Sequence, residues 1–412
     1  MSLVAENIIN SKTAWLGEFP AHWQVLRIKN LFQEMDSRSE TGSEELLSVS
    51  HYTGVTLKRE SLENEDDHLT NAESLVGYKL VAKNDLVINI MLAWNGSLGI
   101  SPYNGITSPA YCVYRIKGDN NPEYFGYLFT TNLFKAEFRR HSTGIIDSRL
   151  RLYSDKFFSI FTVVPPKDEQ DEIVQYIKAQ EEKINLFIQK KQRFIELLKE
   201  QRQSIINDKL QINAKKMRLK FCVTKVGSGV TPRGGAEVYQ DEGIIFLRSQ
   251  NVHNDGLKLD NVSYISEEIN SEMKGSEVQF NDVLINVTGA SIGRCHVFDI
   301  DAPANVNQHV CIIRPVQEVI NSEFLMLQLQ SVKIQTIIDM VEGASREGLT
   351  NKDIKNFPLF IPPIAEQKQI VSHIKTETAT IDTAIAKAER EIELIREYKE
   401  AMIAEAVMGK IL

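Results

Sequence analysis

An internal repeat is the feature that most constrains how this chain can fold. Residues Pro165–Ile177 read PPKDEQDEIVQYI, and residues Pro362–Ile374 read PPIAEQKQIVSHI. The second copy follows the first by 197 residues, and the same offset relates Asn84 to Asn281. A constant offset between matched residues indicates two copies of one architecture. We therefore predict a pseudo-two-fold repeat.

Each copy of the repeat opens a long helix. Two prolines end a strand, and the acidic residues that follow suit the positive end of a helix dipole. The apolar residues beyond are spaced by alternating steps of four and three, which is typical of a coiled-coil seam. The predicted seam residues are Ile184, Ile188, Ile195, Leu198 and Ile205 in the first helix, and Ile381, Ile385, Ile392, Ile395 and Met402 in the second.

Both seams contain residues that are not ideal for a coiled coil. Lys191 and Arg202 lie in the first seam, and Ala388 and Lys399 take the matching places in the second. One interpretation is that the cations extend from the edge of the seam into water. The other is that they set the register or the antiparallel pairing of the helices, as single polar seam residues can.

The fold class predicted from these patterns is α+β. Two globular units are joined by two long antiparallel coiled-coil helices, and a helix of about 35 residues is a rod about 50 Å long. Such rods would hold the two units at a fixed separation. The predicted boundaries are residues 1–163 for the first unit, 164–212 for its helix, 213–360 for the second unit and 361–412 for the distal helix.

Composition excludes several classes of protein. The chain has 47 basic and 55 acidic side chains and a net charge of −8, so any DNA binding must come from local patches. The four cysteines are far apart and lack zinc-type spacing. The residues MSLVAENIINSK lack the basic and apolar parts of a signal peptide, and no apolar run is long enough to span a bilayer. We expect a cytoplasmic protein without a membrane partner.

Polar loops after the predicted strands are the candidate DNA contacts, because Arg, Asn and Gln pair with base edges. The flanking strands agree between the copies while the loops differ, which suits a protein that reads two targets. The matched Arg149 and Arg346 precede the final strand of each unit, where an Arg can also brace the junction. The candidates are His51, Tyr52, Trp94, Asn95, Ser97, Arg149, Arg151, Arg233, Arg248, Ser249, Gln250, Asn251, Thr288, Ser291, Arg294, Asn307, Gln308 and Arg346.

The sequence contains no recognisable catalytic motif. It lacks a phosphate-binding loop, a His-Glu-x-x-His pair, a nucleophile elbow and the Asn/Asp-Pro-Pro-aromatic signature of adenine methyltransferases. We predict a non-enzymatic protein with no catalytic residue, no metal and no cofactor. Two other functions stay open: a stand-alone modifying or cleaving enzyme, and a coiled-coil scaffold whose DNA behaviour would not change in an Arg294→Ala variant.

Taken together, the motifs resemble the specificity subunit of type I restriction-modification systems. They are the opening Trp15–Trp23 (WLGEFPAHW), the doubled Pro-Pro-x-x-Glu-Gln-x-x-Ile-Val, the Val230-Thr231-Pro232 loop and the paired helices. The resemblance covers essentially the whole chain, and the doubled motif is its most specific element. One departure is that the segment containing His22 and Trp23 has no counterpart in the second unit.

The resemblance implies a function and a set of partners. The units would be target-recognition domains, each reading one half of a split site in double-stranded DNA. The helices would fix the gap between the half-sites and dock two methyltransferase subunits, which would carry S-adenosylmethionine. A restriction subunit that translocates DNA would join for cleavage.

Overall fold

The computed structural model describes residues 13–58, 74–146, 149–211, 214–344 and 348–411. The chain forms two compact units, of which the first is made of two separate stretches and the second of one. Unit 1 comprises Met1–Lys191 together with Arg390–Leu412, and unit 2 comprises Gln192–Glu389. The long helices are therefore divided between the units and are not separate domains at residues 164–212 and 361–412.

The strands of unit 1 are short, with three to five residues each. Its strands are β1 Gln24–Arg27, β2 Phe32–Met35, β3 Leu47–Ser50, β4 Gly54–Leu57, β5 Lys79–Val81, β6 Leu86–Ile88, β7 Leu98–Ile100, β8 Gly105–Thr107, β9 Cys112–Ile116 and β10 Phe161–Val164. Its helices are α1 Ile28–Leu31, α2 Pro122–Thr130, α3 Asn132–His141, α4 Ser154–Ser159 and α5 Lys167–Lys209, which continues into unit 2.

Unit 2 is built in the same way. Its strands are β11 Lys215–Arg218, β12 Val223–Ser228, β13 Ile244–Leu247, β14 Val252–His253, β15 Gly256–Leu257, β16 Ser263–Ile265, β17 Glu277–Val278, β18 Val283–Asn286, β19 Cys295–Val297, β20 Ala304–Val306, β21 Val310–Pro315 and β22 Pro358–Ile361. Its helices are α6 Glu267–Glu272, α7 Ser322–Gln330, α8 Val332–Ala344, α9 Asn351–Lys355 and α10 Ile364–Val407, which ends in unit 1.

The order of the strands confirms the repeat. Unit 1 has the antiparallel sheet β2-β9-β6-β7, and unit 2 has the corresponding sheet β12-β21-β18-β19. In both units the first strand pairs with the last one before the long helix, β1 with β10 and β11 with β22. The units differ beside this framework, where β13 runs parallel to β20 in a mixed sheet β16-β13-β20-β17.

A buried aspartate explains the repeated Asn-Asp pair. Asn84 and Asn281 have left-handed backbones, with φ of 73° and 71°, which Asn tolerates better than most residues. The following Asp85 and Asp282 are buried, and each accepts two bonds of 2.8 Å from an arginine on the neighbouring strand, Arg115 or Arg314 respectively. Each unit thus fixes the start of a central strand with the same charged clamp.

The glutamine of the repeated motif anchors each long helix to its unit. Gln170 accepts a bond of 2.8 Å from the backbone N–H of Asn121 and donates to the carbonyl of Pro165. Gln367 accepts a bond of 2.9 Å from the backbone N–H of Asn321 and donates to Pro362. Asn121 and Asn321 cap α2 and α7, so one buried amide joins two helix starts in each copy.

The segment that lacks a counterpart in unit 2 holds the neighbouring glutamate in unit 1. The indole of Trp23 donates to Glu169 at 2.8 Å, and His22 lies 2.7 Å from the other carboxylate oxygen. Partial burial opposes ionisation, yet the bonds from Trp23 and His22 lower the pKa of Glu169 below its usual range. The equivalent Glu366 is exposed, so this contact belongs to unit 1 alone.

The two long helices pair antiparallel within each unit, as the seam predicts. In unit 1, Lys399 lies 3.0 Å from Glu181, and Lys191 pairs with Glu391. The predicted seam residues are all buried or half-buried. These pairs favour the interpretation in which the seam cations set the pairing.

In unit 2, Arg202 lies 2.8 Å from Asp382, and Lys209 lies 3.0 Å from Glu377. At this end of α5 the seam prediction is one residue off. Ile205 is only half-buried, whereas Ile206 is fully buried in the core of unit 2. Because this end of α5 packs on the core of unit 2, the buried residue is Ile206 and not the predicted Ile205.

The clamp in unit 2 generates a first prediction. An Asp282→Asn variant removes the charge that compensates Arg314, and also weakens the bond that the carboxylate accepts from the backbone N–H of Gln279. Breaking a buried pair in this way is expected to cost about 3 kcal/mol of the free energy of unfolding, measured by chemical denaturation. The control is Asp255→Asn, whose side chain is 71% exposed and should change little. Equal effects of both substitutions would contradict a structural role for Asp282.

The helix pairing generates a second prediction. Arg202→Glu and Asp382→Arg should each lower stability, and the double variant should recover most of the loss. Because these side chains are 27% and 48% exposed, we expect a coupling energy of only about 0.5 kcal/mol. A double-mutant cycle of thermal unfolding measures this coupling. Purely additive effects would show that the pair does not contribute to the pairing of the helices.

Candidate nucleic-acid interface

Three polar loops of unit 2 meet at one end of its sheets. The parallel strands β13 and β20 end side by side, and the backbone N–H of Asn307 donates to the carbonyl of Leu247 at 3.1 Å. The residues that follow each strand, from Arg248 and from Asn307, are therefore neighbours. Strand β18 ends beside them, because the N–H of Val287 donates to the carbonyl of His309 at 2.9 Å.

A fourth loop reaches the same place through a glycine. The N–H of Gly229 donates to the carbonyl of Val310 at 3.0 Å, and a Cβ at position 229 would collide with the carbonyl oxygen of Val306. This close approach places Thr231 beside Gln308. We call Thr231, residues 248–251, residues 288–294 and residues 307–309 the unit 2 loop cluster.

Asn286, at the end of β18, connects two loops of the unit 2 loop cluster. Its buried amide nitrogen lies 2.8 and 3.2 Å from the carbonyl oxygens of Ser249 and Val252 and 3.1 Å from the hydroxyl of Ser291, so its two hydrogens are shared among three acceptors. One side chain at the end of β18 thereby fixes two loops that are distant in the sequence. Asn89 takes the matching place in unit 1, where it donates to Tyr111 and accepts from the N–H of Met91.

Most of the predicted contacts of unit 2 are at the surface. Arg233, Gln250, Arg294 and Gln308 are exposed, while Arg248, Ser249, Thr288 and Ser291 are half-buried. The guanidinium of Arg248 stacks over the ring of Tyr239, with 5.4 Å between its carbon and the ring centre. These side chains offer both hydrogen-bond donors and cations to a ligand.

Two of the asparagines serve the loops themselves. Asn251 is 1% exposed, accepts from the N–H of Arg248 and donates to the carbonyl of Lys258. The prediction that Asn251 contacts a base is therefore wrong, because its buried amide forms hydrogen bonds within its own loop. Asn307 is 8% exposed, and its oxygen accepts from the N–H of His309.

In unit 1 the most exposed candidate lies in the turn between β3 and β4. Tyr52 is 86% exposed, and its ring centre lies 3.7 Å from that of His51. A large aromatic surface in a turn can stack on a base or insert between bases.

The second loop of unit 1 packs partly on α3. Trp94 is half-buried, donates to the carbonyl of Met91 at 3.2 Å and lies under the guanidinium of Arg139. Asn95 beside it is half-buried. Ser97 is fully buried, so the prediction that it contacts DNA is wrong; the loop turns inward at this residue to start β7.

The candidate arginines before the final strand of unit 1 differ in their exposure. Arg149 is exposed, and Arg151 is half-buried and donates to the carbonyl of Leu150 at 2.8 Å. Arg346 lies outside the described residues. Its neighbour Gly348 approaches the carbonyl of Val287 and the methyl group of Thr288, at the edge of the unit 2 loop cluster.

Sequence reasoning missed His309 as a member of the site. Its ring nitrogens lie 2.6 Å from the hydroxyl of Thr288 and 3.0 Å from the amide nitrogen of Gln308. The sequence feature that could have indicated His309 is its position between Gln308 and the start of β21. A histidine at the start of a strand, however, more often has a structural role than a binding role. Thr231, which belongs to the Val230-Thr231-Pro232 loop but not to the candidate contacts, is the other missed member.

The described residues contain no group of His, Cys, Asp and Glu that could hold a metal ion. All four cysteines are buried and unpaired, and burial raises the pKa of Cys295 and Cys311 to about 12. Among the described helices, none is both long and apolar enough to cross a bilayer.

The two units share a duplicated strand framework and carry unlike polar loops. Residues 216–394 match the family model described as the type I restriction modification DNA specificity domain. This segment is therefore similar to that domain, which supports the resemblance to a type I specificity subunit.

Two curated relatives are similar to part of the chain. The chain is 28% identical over 171 residues to the type I restriction enzyme EcoBI specificity subunit of Escherichia coli, a match that covers 41% of this chain and 36% of the relative. It is 22% identical over 196 residues to the EcoKI specificity subunit of E. coli strain K12, covering 46% and 41%. The matches thus span less than half the length of these relatives.

A solved structure shares the fold over nearly the whole chain. It comes from a study of complex assembly and conformational transition in a type I restriction-modification system, with a TM-score of 0.63 and 14% identity. The match covers 96% of this chain and 100% of the other. The predicted α+β architecture with paired long helices is confirmed.

Proposed function

We propose that this protein is the sequence-specific DNA-recognition subunit of a type I restriction-modification complex. Unit 1 reads one half of a bipartite site, and unit 2 reads the other. The observation that carries this proposal is that equivalent strand ends bear unlike loops in the two units, with an exposed Tyr52 in one and the unit 2 loop cluster in the other. The match of residues 216–394 to the specificity domain supports it.

The long helices set the spacing of the half-sites and dock two methyltransferase subunits in this proposal. Apolar side chains on their outer faces support a docking role. Within unit 1, Leu186 and Leu394 are 48% and 47% exposed, and Tyr398 is 53% exposed. Large apolar groups of this kind are typical of surfaces that a partner covers.

The chemistry then belongs to the partners. The methyltransferase subunits bind S-adenosylmethionine and modify adenine, a restriction subunit joins for cleavage, and the chain itself is non-catalytic. The complex works in the cytoplasm, where the DNA of the host lies.

Replacement of one unit tests the proposal. Residues 213–360 are exchanged for those of a relative with a different specificity, and methylated adenines are mapped in a host that lacks other modification. The half-site read by unit 2 should change, while the half-site read by unit 1 should be retained. A matched exchange of residues 13–163 should produce the reverse pattern. An unaltered methylated sequence in both exchanges would refute the proposal.

The net charge generates a further prediction. With −8 charges, the chain alone is expected to bind DNA weakly, and basic partner subunits close around the duplex. Filter binding should show at least about a hundredfold tighter binding by the assembled complex than by the lone chain at physiological salt. Equal affinities would contradict this division of roles.

A further inference from the structure

Four side chains of the unit 2 loop cluster form a continuous chain of hydrogen bonds. The hydroxyl of Thr231 donates to the side-chain oxygen of Gln308. The amide nitrogen of Gln308 lies 3.0 Å from Nε2 of His309, and Nδ1 of His309 lies 2.6 Å from the hydroxyl oxygen of Thr288. Three loops are joined through side chains alone.

Donor and acceptor rules determine the direction of each bond. An amide nitrogen only donates, so Nε2 of His309 must accept from Gln308. The neutral imidazole then carries its proton on Nδ1 and donates it to the oxygen of Thr288. The hydroxyl hydrogen of Thr288 must therefore point away from the ring.

Two donors remain to be used by a ligand. They are the second amide hydrogen of Gln308 and the hydroxyl hydrogen of Thr288. Within the described part of the chain, no other acceptor is hydrogen-bonded to either group. Gln308 is exposed and Thr288 is half-buried, so both lie where a ligand can reach them.

We propose that Thr288 and Gln308, held by His309, form a two-donor reader for a guanine edge in the half-site of unit 2. Guanine presents two neighbouring acceptors, N7 and O6, in the major groove. Both donors belong to side chains that the hydrogen-bond chain orients in advance, which suits direct readout of a base edge. His309 is a positioning residue that touches no base. The inference rests on the proposed function and deepens it.

Unit 1 lacks this reader. The pairing of Cys112 with Ile88 and of Cys311 with Ile285 aligns β9 with β21. Ala110 and Pro109 then take the places of His309 and Gln308, and neither side chain can donate a hydrogen bond. The half-site of unit 1 therefore provides an internal control.

The test is the methylated sequence produced by the assembled complex, mapped by sequencing in a host without other modification. The variants are Thr288→Val and Gln308→Glu, which remove donors, and His309→Phe, which keeps a ring without nitrogen atoms. Each should lower the preference for guanine at one position of the unit 2 half-site by roughly tenfold to a hundredfold. The same position should relax in all three variants, while the half-site of unit 1 stays intact.

Two matched controls sharpen the test. Thr288→Ser retains the hydroxyl and should preserve the preference, and Thr224→Val removes an exposed hydroxyl on β12 and should leave the sequence unchanged. A unit 2 half-site without any G·C pair would overturn the inference. An unchanged sequence in Thr288→Val, or a uniform loss of methylation at every position, would also overturn it. Failure of the unaltered complex to produce a bipartite sequence would instead refute the proposed function.

Discussion

The antiparallel pairing of α5 with α10 is the interaction on which both units depend. The core of unit 1 contains Ile184 of α5, and also Met402 and Ala406 near the end of α10. The core of unit 2 contains Ile374 of α10 and Ile206 near the end of α5. The core of unit 1 therefore combines two separate stretches of chain, and the core of unit 2 combines segments of both long helices within one stretch. Formation of the helix pair and burial of the two cores are therefore coupled, and each contributes apolar area that the other requires.

The framework of each unit was predictable because it is encoded by strong local signals that occur twice. The paired prolines, the acidic first turns and the seam spacing mark α5 and α10. The role of Gln170 and Gln367 was not predictable. Their partners are the N–H groups of helix caps about 50 residues away, which only the folded chain brings close.

The site was less predictable than the framework. Residue type correctly suggested polar loops, but it could not distinguish side chains that face outward from those that hold the loop. Asn251 belongs to the second group, because its buried amide satisfies polar groups of its own loop. Ser97 faces inward without holding the loop through its side chain, since it is fully buried at the start of β7. His309 was overlooked for the opposite reason: its contacts are with Thr288 and Gln308, and the contact with Thr288 spans 21 residues of sequence.

The junctions and the helix pair respond differently to ionic strength. Gln170 and Gln367 hold the helix starts through bonds between neutral, buried groups, which dissolved ions do not screen. The bonds between the helices, such as Arg202 with Asp382, join partly exposed charges and weaken as salt rises. High salt should therefore weaken the pairing of α5 with α10, while the first turn of each helix stays bonded to its unit. Salt that releases nucleic acid from the loops would also weaken the ion pairs between α5 and α10. Ligand release and flexibility of the helix pair would therefore depend on salt concentration in the same direction.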